Sequence, residues 1–234
     1  MGFIIGSQIC HFKRKRLSVI IHITNFCWRS VFLYQRGGPL DILPPFLISS
    51  IFIGMDFEKY FIAIVIPEPF LGELTNIKKY VAENFKSKGA LRSPAHITLH
   101  LPFRWKPDKE DILIESLSNL NFGRSFPIKL KNFACFEPRV LFVDVEPNQT
   151  LNELQTCVVK HVKENLNLFN EVGNRLGFHP HVTIAFRDLK KEQFKLAWEY
   201  YKDKQFSAEF TCTHFCLLKY GAGKWEVYRE FPLS

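Results

Sequence analysis

The sequence predicts an α+β protein: a bilobal, pseudo-twofold duplication with two largely antiparallel sheets flanking a central cleft and helices on the outside. Three observations point to it. Short runs rich in β-branched and aromatic residues alternate with segments whose apolar residues recur at helical spacing. The order strand, helix, strand, helix, strand occurs twice within residues 55–234. Hydrophobic residues make up 47% and charged residues 23% of the 234, with 24 Phe, which suits a large aromatic core and excludes disordered and collagen-like chains.

The elements follow in order. Tyr60–Ile66 (YFIAIVI) is a β-rich run closed by Pro67 and Pro69. Leu71, Leu74, Ile77, Tyr80, Val81 and Phe85 then mark an amphipathic helix over roughly 70–86. A short strand, Ala95–Leu101, is entered through Pro94, and Asp108 is placed to cap a helix running to about Leu120. Phe126–Phe136 is the third strand. The second half opens with the strand Val140–Val145, and Asn148 caps a helix to about Asn165 with Leu151, Leu154, Val158 and Val162 on one face. His181–Phe186 is a strand entered through Pro180, Lys190–Tyr201 a helix, and Phe206–Tyr220 a long strand. Gly221-Ala-Gly223 turns that strand back into Trp225–Phe231. The lobes are expected at roughly 55–137 and 138–234, with terminal strands able to exchange between them.

Residues 1–54 have another character. They hold six basic residues against one acid, Asp41, out of a total net charge of +8, so the remainder is only mildly basic and bulk charge argues weakly for nucleic-acid binding. The Lys13–Arg16 cluster and the apolar Leu17–Ile23 run make a poor secretory signal, because His22, Thr24 and Asn25 interrupt it. No apolar stretch reaches the roughly 18–20 residues of a membrane-spanning helix. Gly37–Gly38 and Pro44–Pro45 break the chain before Leu47–Ile53, and Met55 is followed by what reads as a natural protein start. Residues 1–54 are therefore expected to be an extension, poorly structured or a non-native start, adding little to the fold.

The chemistry lies in two matching tetrapeptides. His96-Ile97-Thr98-Leu99 sits on the middle strand of the first half and His181-Val182-Thr183-Ile184 on the middle strand of the second. In a strand, residues i and i+2 share a face, so each His projects with its Thr while the aliphatic residues enter the opposite face. A single His-x-Thr is ordinary; two on corresponding strands are a pattern. One neutral imidazole can take a proton from an attacking water and a protonated one can give a proton to a leaving alkoxide. Threonine hydroxyls can donate to phosphate oxygens as charge builds.

With these motifs, PAHITLHLPF and FHPHVTIAF, residues 56–234 resemble the 2H phosphoesterase superfamily, which includes 2′-5′ RNA ligase and RNA 2′,3′-cyclic phosphodiesterase proteins. The resemblance implies a metal-independent, cofactor-free phosphodiesterase, with His96 and His181 as acid/base pair, Thr98 and Thr183 as phosphate ligands, and RNA ends or small nucleotides as substrate. Relatives often carry an Arg five residues after the second motif's His. Here that place is Phe186, and Arg187 follows one later, which turns it to the other face of an ideal strand.

Further candidates are weaker. His100 lies four residues after His96 and is a candidate substrate contact, or a cap at the strand end. Phe103, Arg104 and Trp105 offer an aromatic and a cation for a nucleobase and a phosphate, or plain loop packing. His179 and His181, with His96 and His100, allow a competing reading as a metal-dependent hydrolase, but no carboxylate or Cys sits beside them and the threonines go unexplained. Cys212, His214 and Cys216 alternate along the last long strand and read as one strand face rather than a metal site. A non-catalytic RNA-binding module is a third reading, though binding alone needs no pair of titratable imidazoles. The six cysteines form no CxxC pair and no disulfide framework, which fits a reducing cytoplasm. A monomer without a stable membrane partner is expected.

Overall fold

Strand order across the main sheet explains how two sequence repeats become one structure. The computed structural model describes residues 57–170 and 177–233, and three short strands before them, 10–14, 17–21 and 33–34. The chain divides into two units, Met1–Met55 and Asp56–Ser234. In the first, β1 (Cys10–Arg14) pairs antiparallel with β2 (Leu17–Ile21), and β2 with β3 (Leu33–Tyr34). Five residues of the apolar run from Leu17 are thus a strand, while Gly37–Gly38, Pro44–Pro45 and Leu47–Ile53 lie outside the described residues. No helix among the described residues is long and apolar enough to cross a membrane.

The second unit is α+β. Its strands are β4 (Glu58–Val65), β5 (His96–Trp105), β6 (Phe126–Phe136), β7 (Val140–Val145), β8 (His181–Ala185), β9 (Ser207–Cys212), β10 (His214–Gly221) and β11 (Lys224–Pro232). They form one antiparallel order, β11-β10-β4-β5-β8-β7-β6-β9. This is two four-stranded halves joined at their middle strands by a single pair, Ile97↔Val182. Each repeat's third strand pairs with the first strand of the other repeat: β6 with β7, and β10 with β4. The Phe206–Tyr220 run divides at Thr213. Its first part, β9, lies beside β6 at one end of the order, and its second part, β10, lies beside β4 and β11 at the other. One residue linking the two ends requires the sheet to curl.

Helices α1 (Phe70–Asn84), α2 (Glu110–Ser118), α3 (Gln149–Leu166) and α4 (Lys191–Tyr201) bury their apolar stripes in one core. Leu151, Leu154, Val158, Val162 and Leu166 line α3, and Asn148 caps it, its Oδ1 accepting from Leu151 N at 3.0 Å. Asp108 does not cap α2. It lies in a 3₁₀ turn, Pro107–Lys109, and Lys109 takes the cap position without a side-chain bond. Packing crosses the repeats: α1 lies against β8 and α3 against β5, so the helix of each half buttresses the middle strand of the other. The opposite face of β4 and β10 carries a small cluster of Phe61, Ala63, Cys216 and Leu218, with Val65 and Trp225 beside it.

Candidate active site

Ile97 and Val182, both fully buried, form the one pair that links β5 to β8 among the described residues, and their side chains enter the helix-side core. Alternation then sends His96, Thr98, His181 and Thr183 to the other face, where all four are partly exposed. Because the strands are antiparallel, the register carries His96 beside Thr183 and Thr98 beside His181. Side chains so placed have Cβ atoms about 4.5–5.5 Å apart where a ladder holds. One residue pair thus brings four polar groups, two from each repeat, to one spot.

The two imidazoles are held alike. His96 Nδ1 lies 2.7 Å from the Pro94 carbonyl oxygen and His181 Nδ1 lies 2.8 Å from that of His179, each reaching two residues back. A carbonyl only accepts, so Nδ1 carries the hydrogen in both rings and Nε2 is left with the lone pair of the neutral form. Each ring also leans on a phenylalanine: Phe61 at 4.8 Å from His96 and Phe142 at 4.9 Å from His181, measured between centroids. Phe136 meets the His181 ring edge-on at 5.3 Å.

Their charged surroundings differ. Burial, reinforced by the Lys78 ammonium and the His181 ring, holds His96 down at about 4 against the pull of its carbonyl bond. Burial also lowers His181, and the His179 ring adds to that, while the His179 carbonyl and, as the smallest influence, Asp144, its register partner on β7, work to raise it. Both rings are held below the ordinary histidine range, with a basic group acting to lower each and a carboxylate acting to raise His181 alone. Lys78 belongs to the buried stripe of α1 with Leu74 and Val81; it is 2% exposed, and its Nζ donates to the Ser93 carbonyl at 3.2 Å. Neither Lys78 nor Asp144 stands out in the sequence. The one signal was a lysine four residues after Leu74, in a helix otherwise apolar on that face. Asp144 also meets His179 Nε2 at 3.2 Å.

Other candidates fall elsewhere. Two register shifts in the β4–β5 ladder reset the alternation of β5: Thr98 pairs with Ala63, but His100 pairs with Ile62 of the main core. His100 is therefore turned to the helix side, 1% exposed, its Nδ1 donating to the Leu101 carbonyl at 2.8 Å and its ring edge-on to Phe103. It is a core residue, not a cleft residue. Phe103 and Trp105 lie on β5 itself, packed on the same core; Phe103 stacks on Tyr60 and Trp105 Nε1 donates to the Lys109 carbonyl. Arg104, exposed between them and paired with Lys59, is on the order of 20 Å along the strand from His96. None of the three forms a wall beside the histidines. β8 ends at Ala185, so strand alternation no longer governs Arg187. That residue takes a left-handed turn (φ 56°), with its exposed guanidinium over the Phe186 ring. With His100 on the other face, the four-imidazole metal cluster does not assemble. Surface hollows on α1 and α3, around Lys79 and Leu91 and around Gln149 and Lys160, contain none of these residues.

The two repeats thus share one exchanged antiparallel sheet, with a His-x-Thr from each at its central junction. The model of the 2′-5′ RNA ligase superfamily matches residues 66–224, and the chain belongs to that family of 2H phosphoesterases. Among solved structures, Escherichia coli LigT complexed with 3′-AMP superposes with a TM-score of 0.56 at 19% identity, covering 76% of this chain and 99% of its own. TT0787 of Thermus thermophilus gives 0.54 at 19% identity, covering 75% and 97%. At these identities the likeness is one of fold. No curated protein matches the chain.

Proposed function

We propose that the protein is a phosphodiesterase that opens a 2′,3′-cyclic phosphate on RNA ends or small nucleotides to a monoester, or in reverse joins ends through a 2′-5′ linkage, without a catalytic metal. The observation that carries this reading is the Ile97↔Val182 junction, which sets two Nε2 atoms and two threonine hydroxyls on one face. In hydrolysis, neutral His96 takes a proton from water as the water oxygen bonds to phosphorus. The phosphorus–ribose oxygen bond breaks, and His181, protonated, gives its proton to that oxygen. Proton exchange with solvent then resets both rings. Thr98 and Thr183 donate to the non-bridging oxygens as negative charge grows. A carboxylate, Asp144, acts on His181 and none acts on His96, which supports that division of labour, since a carboxylate favours the protonated acid. Substrate phosphate adds negative charge that eases protonation of His181 further.

The test offers cyclic-phosphate RNA ends and small cyclic nucleotides, with chelator present, to the full chain and to residues 55–234. His96→Ala and His181→Ala are each expected to lower kcat/KM by roughly 10²–10⁴. Undiminished turnover in either variant would sink the assignment. Oligonucleotide binding that weakens with salt but shows no turnover would instead favour a binding module.

A further inference from the structure

The motif left unused by this chemistry is the alternation of Cys212, His214 and Cys216. The break at Thr213 resolves it. Cys212 joins the main core, whereas Cys216 belongs to the small cluster on the other face, so the two thiols point opposite ways. His214, two residues from Cys216, shares its face. The register of β10 with β11 then sets Glu230 directly across from Cys216. One ligand atom from each of His214, Cys216 and Glu230 lies within 4.8 Å of the others, the single such cluster of three or more among the described residues.

We infer that His214, Cys216 and Glu230 form a binding site for a divalent transition metal of the zinc class. The donor set argues for that class. A thiolate and an imidazole select zinc-like ions over magnesium or calcium, and three protein ligands leave a fourth position for water or a substrate oxygen. The histidine is oriented as a metal ligand needs: Thr213 Oγ1 lies 3.0 Å from Nδ1, leaving Nε2 to face Glu230 Oε1 at 3.9 Å. Glu230 is exposed, His214 half-buried and Cys216 buried, so an ion enters from the Glu230 side and seats on the sulfur. Coordination takes Cys216 as its thiolate, the proton passing to solvent.

Placement gives the site a use. Cys216 pairs with Ala63, and Ala63 with Thr98, so the sulfur shares a sheet row and a face with the first motif. Two strand spacings put it about 10 Å from Thr98. An ion there ties the edge strand β11 to β10 and, being net neutral with one thiolate and one carboxylate, cancels the Glu230 charge on the face that carries the histidines, without touching the reacting phosphorus.

Cobalt(II) and zinc(II) titrations of the reduced full chain test this. Cobalt is expected to give one equivalent of a sulfur-to-metal charge-transfer band with tetrahedral ligand-field bands. Zinc should displace it. Cys216→Ser is expected to abolish the charge-transfer band. Glu230→Gln, at an exposed position that does not threaten folding, and His214→Gln are each expected to weaken zinc affinity at least ~10-fold. Absence of the band in the wild-type chain, its persistence in Cys216→Ser, or unchanged affinity in both Glu230→Gln and His214→Gln would overturn the inference.

Discussion

His96 and His181 share a geometry but not a charge environment, and that difference is open to measurement. A base must be neutral and an acid protonated, so kcat/KM should rise as pH climbs through His96 near 4 and fall as it climbs through His181, whose value lies below the ordinary ~6.5. The optimum is therefore expected below about pH 6.5. Lys78→Met removes a cation that disfavours the His96 imidazolium, so the acid limb should move to higher pH. Asp144→Asn removes a carboxylate that favours the His181 imidazolium, so the alkaline limb should move to lower pH. Methionine matches the apolar stem of Lys78 but forgoes its bond to the Ser93 carbonyl, so a thermal melt of the variant accompanies the profile. Proton NMR titration of the two imidazoles reads both shifts independently of turnover; profiles that stay put would refute the electrostatic division. At this scale the sequence was informative where residues act in pairs two apart, as in His-x-Thr. It was misleading at His100, whose orientation depends on bulges that β5 acquires only against β4.

Elements are pinned to the sheet by a few polar hubs, of which Glu110 at the start of α2 is the clearest. It accepts from the Tyr60 and Tyr228 hydroxyls and from Lys219 Nζ at 2.8 Å, joining α2 to β4, β11 and β10, while Lys219 also meets Glu58 at 2.5 Å. Burial pushes the Glu110 carboxyl up, but the hydrogen bonds from Lys219, Tyr228 and Tyr60 outweigh it and hold it at about 2. A carboxyl depressed by folding contributes stability that is present above its unfolded value of about 4.5 and is lost as pH falls toward 2. Chemical denaturation followed from about pH 5 to about pH 2 should show a steep loss of stability in the wild type and a flatter one in Glu110→Gln, which starts less stable. Equal slopes would deny the hub its role. Helix α3 was legible to its cap because periodicity and capping are local. Asp108 misled because the sequence offers two consecutive starts, and the chain spends Asp108 in the first, a 3₁₀ turn.

At the largest scale, the second unit, Asp56–Ser234, is held together by exchange. With β6 on the second half and β10 on the first, neither repeat completes its own sheet. Residues 56–137 alone should therefore show no cooperative unfolding, and mixing them with 138–234 should restore it; circular dichroism during thermal melting tells the outcomes apart. Independent folding of the first fragment would contradict the exchange. The same arrangement explains why α1 packs on β8 and α3 on β5, since the middle strands meet where both repeats contribute.

Read alone, the sequence established the repeat, the order of elements, and the common face of each His with its Thr, because the two-residue period of a strand and the near-four-residue period of a helix are set within a few bonds. Tertiary structure decided which strands pair, that Ile97 meets Val182, that His100 turns inward, that Lys78 and Asp144 bias the two rings, and that Glu230 joins His214 and Cys216. Those outcomes depend on register between segments distant in the chain. Register is chosen by packing across the whole sheet, so no local pattern contains it.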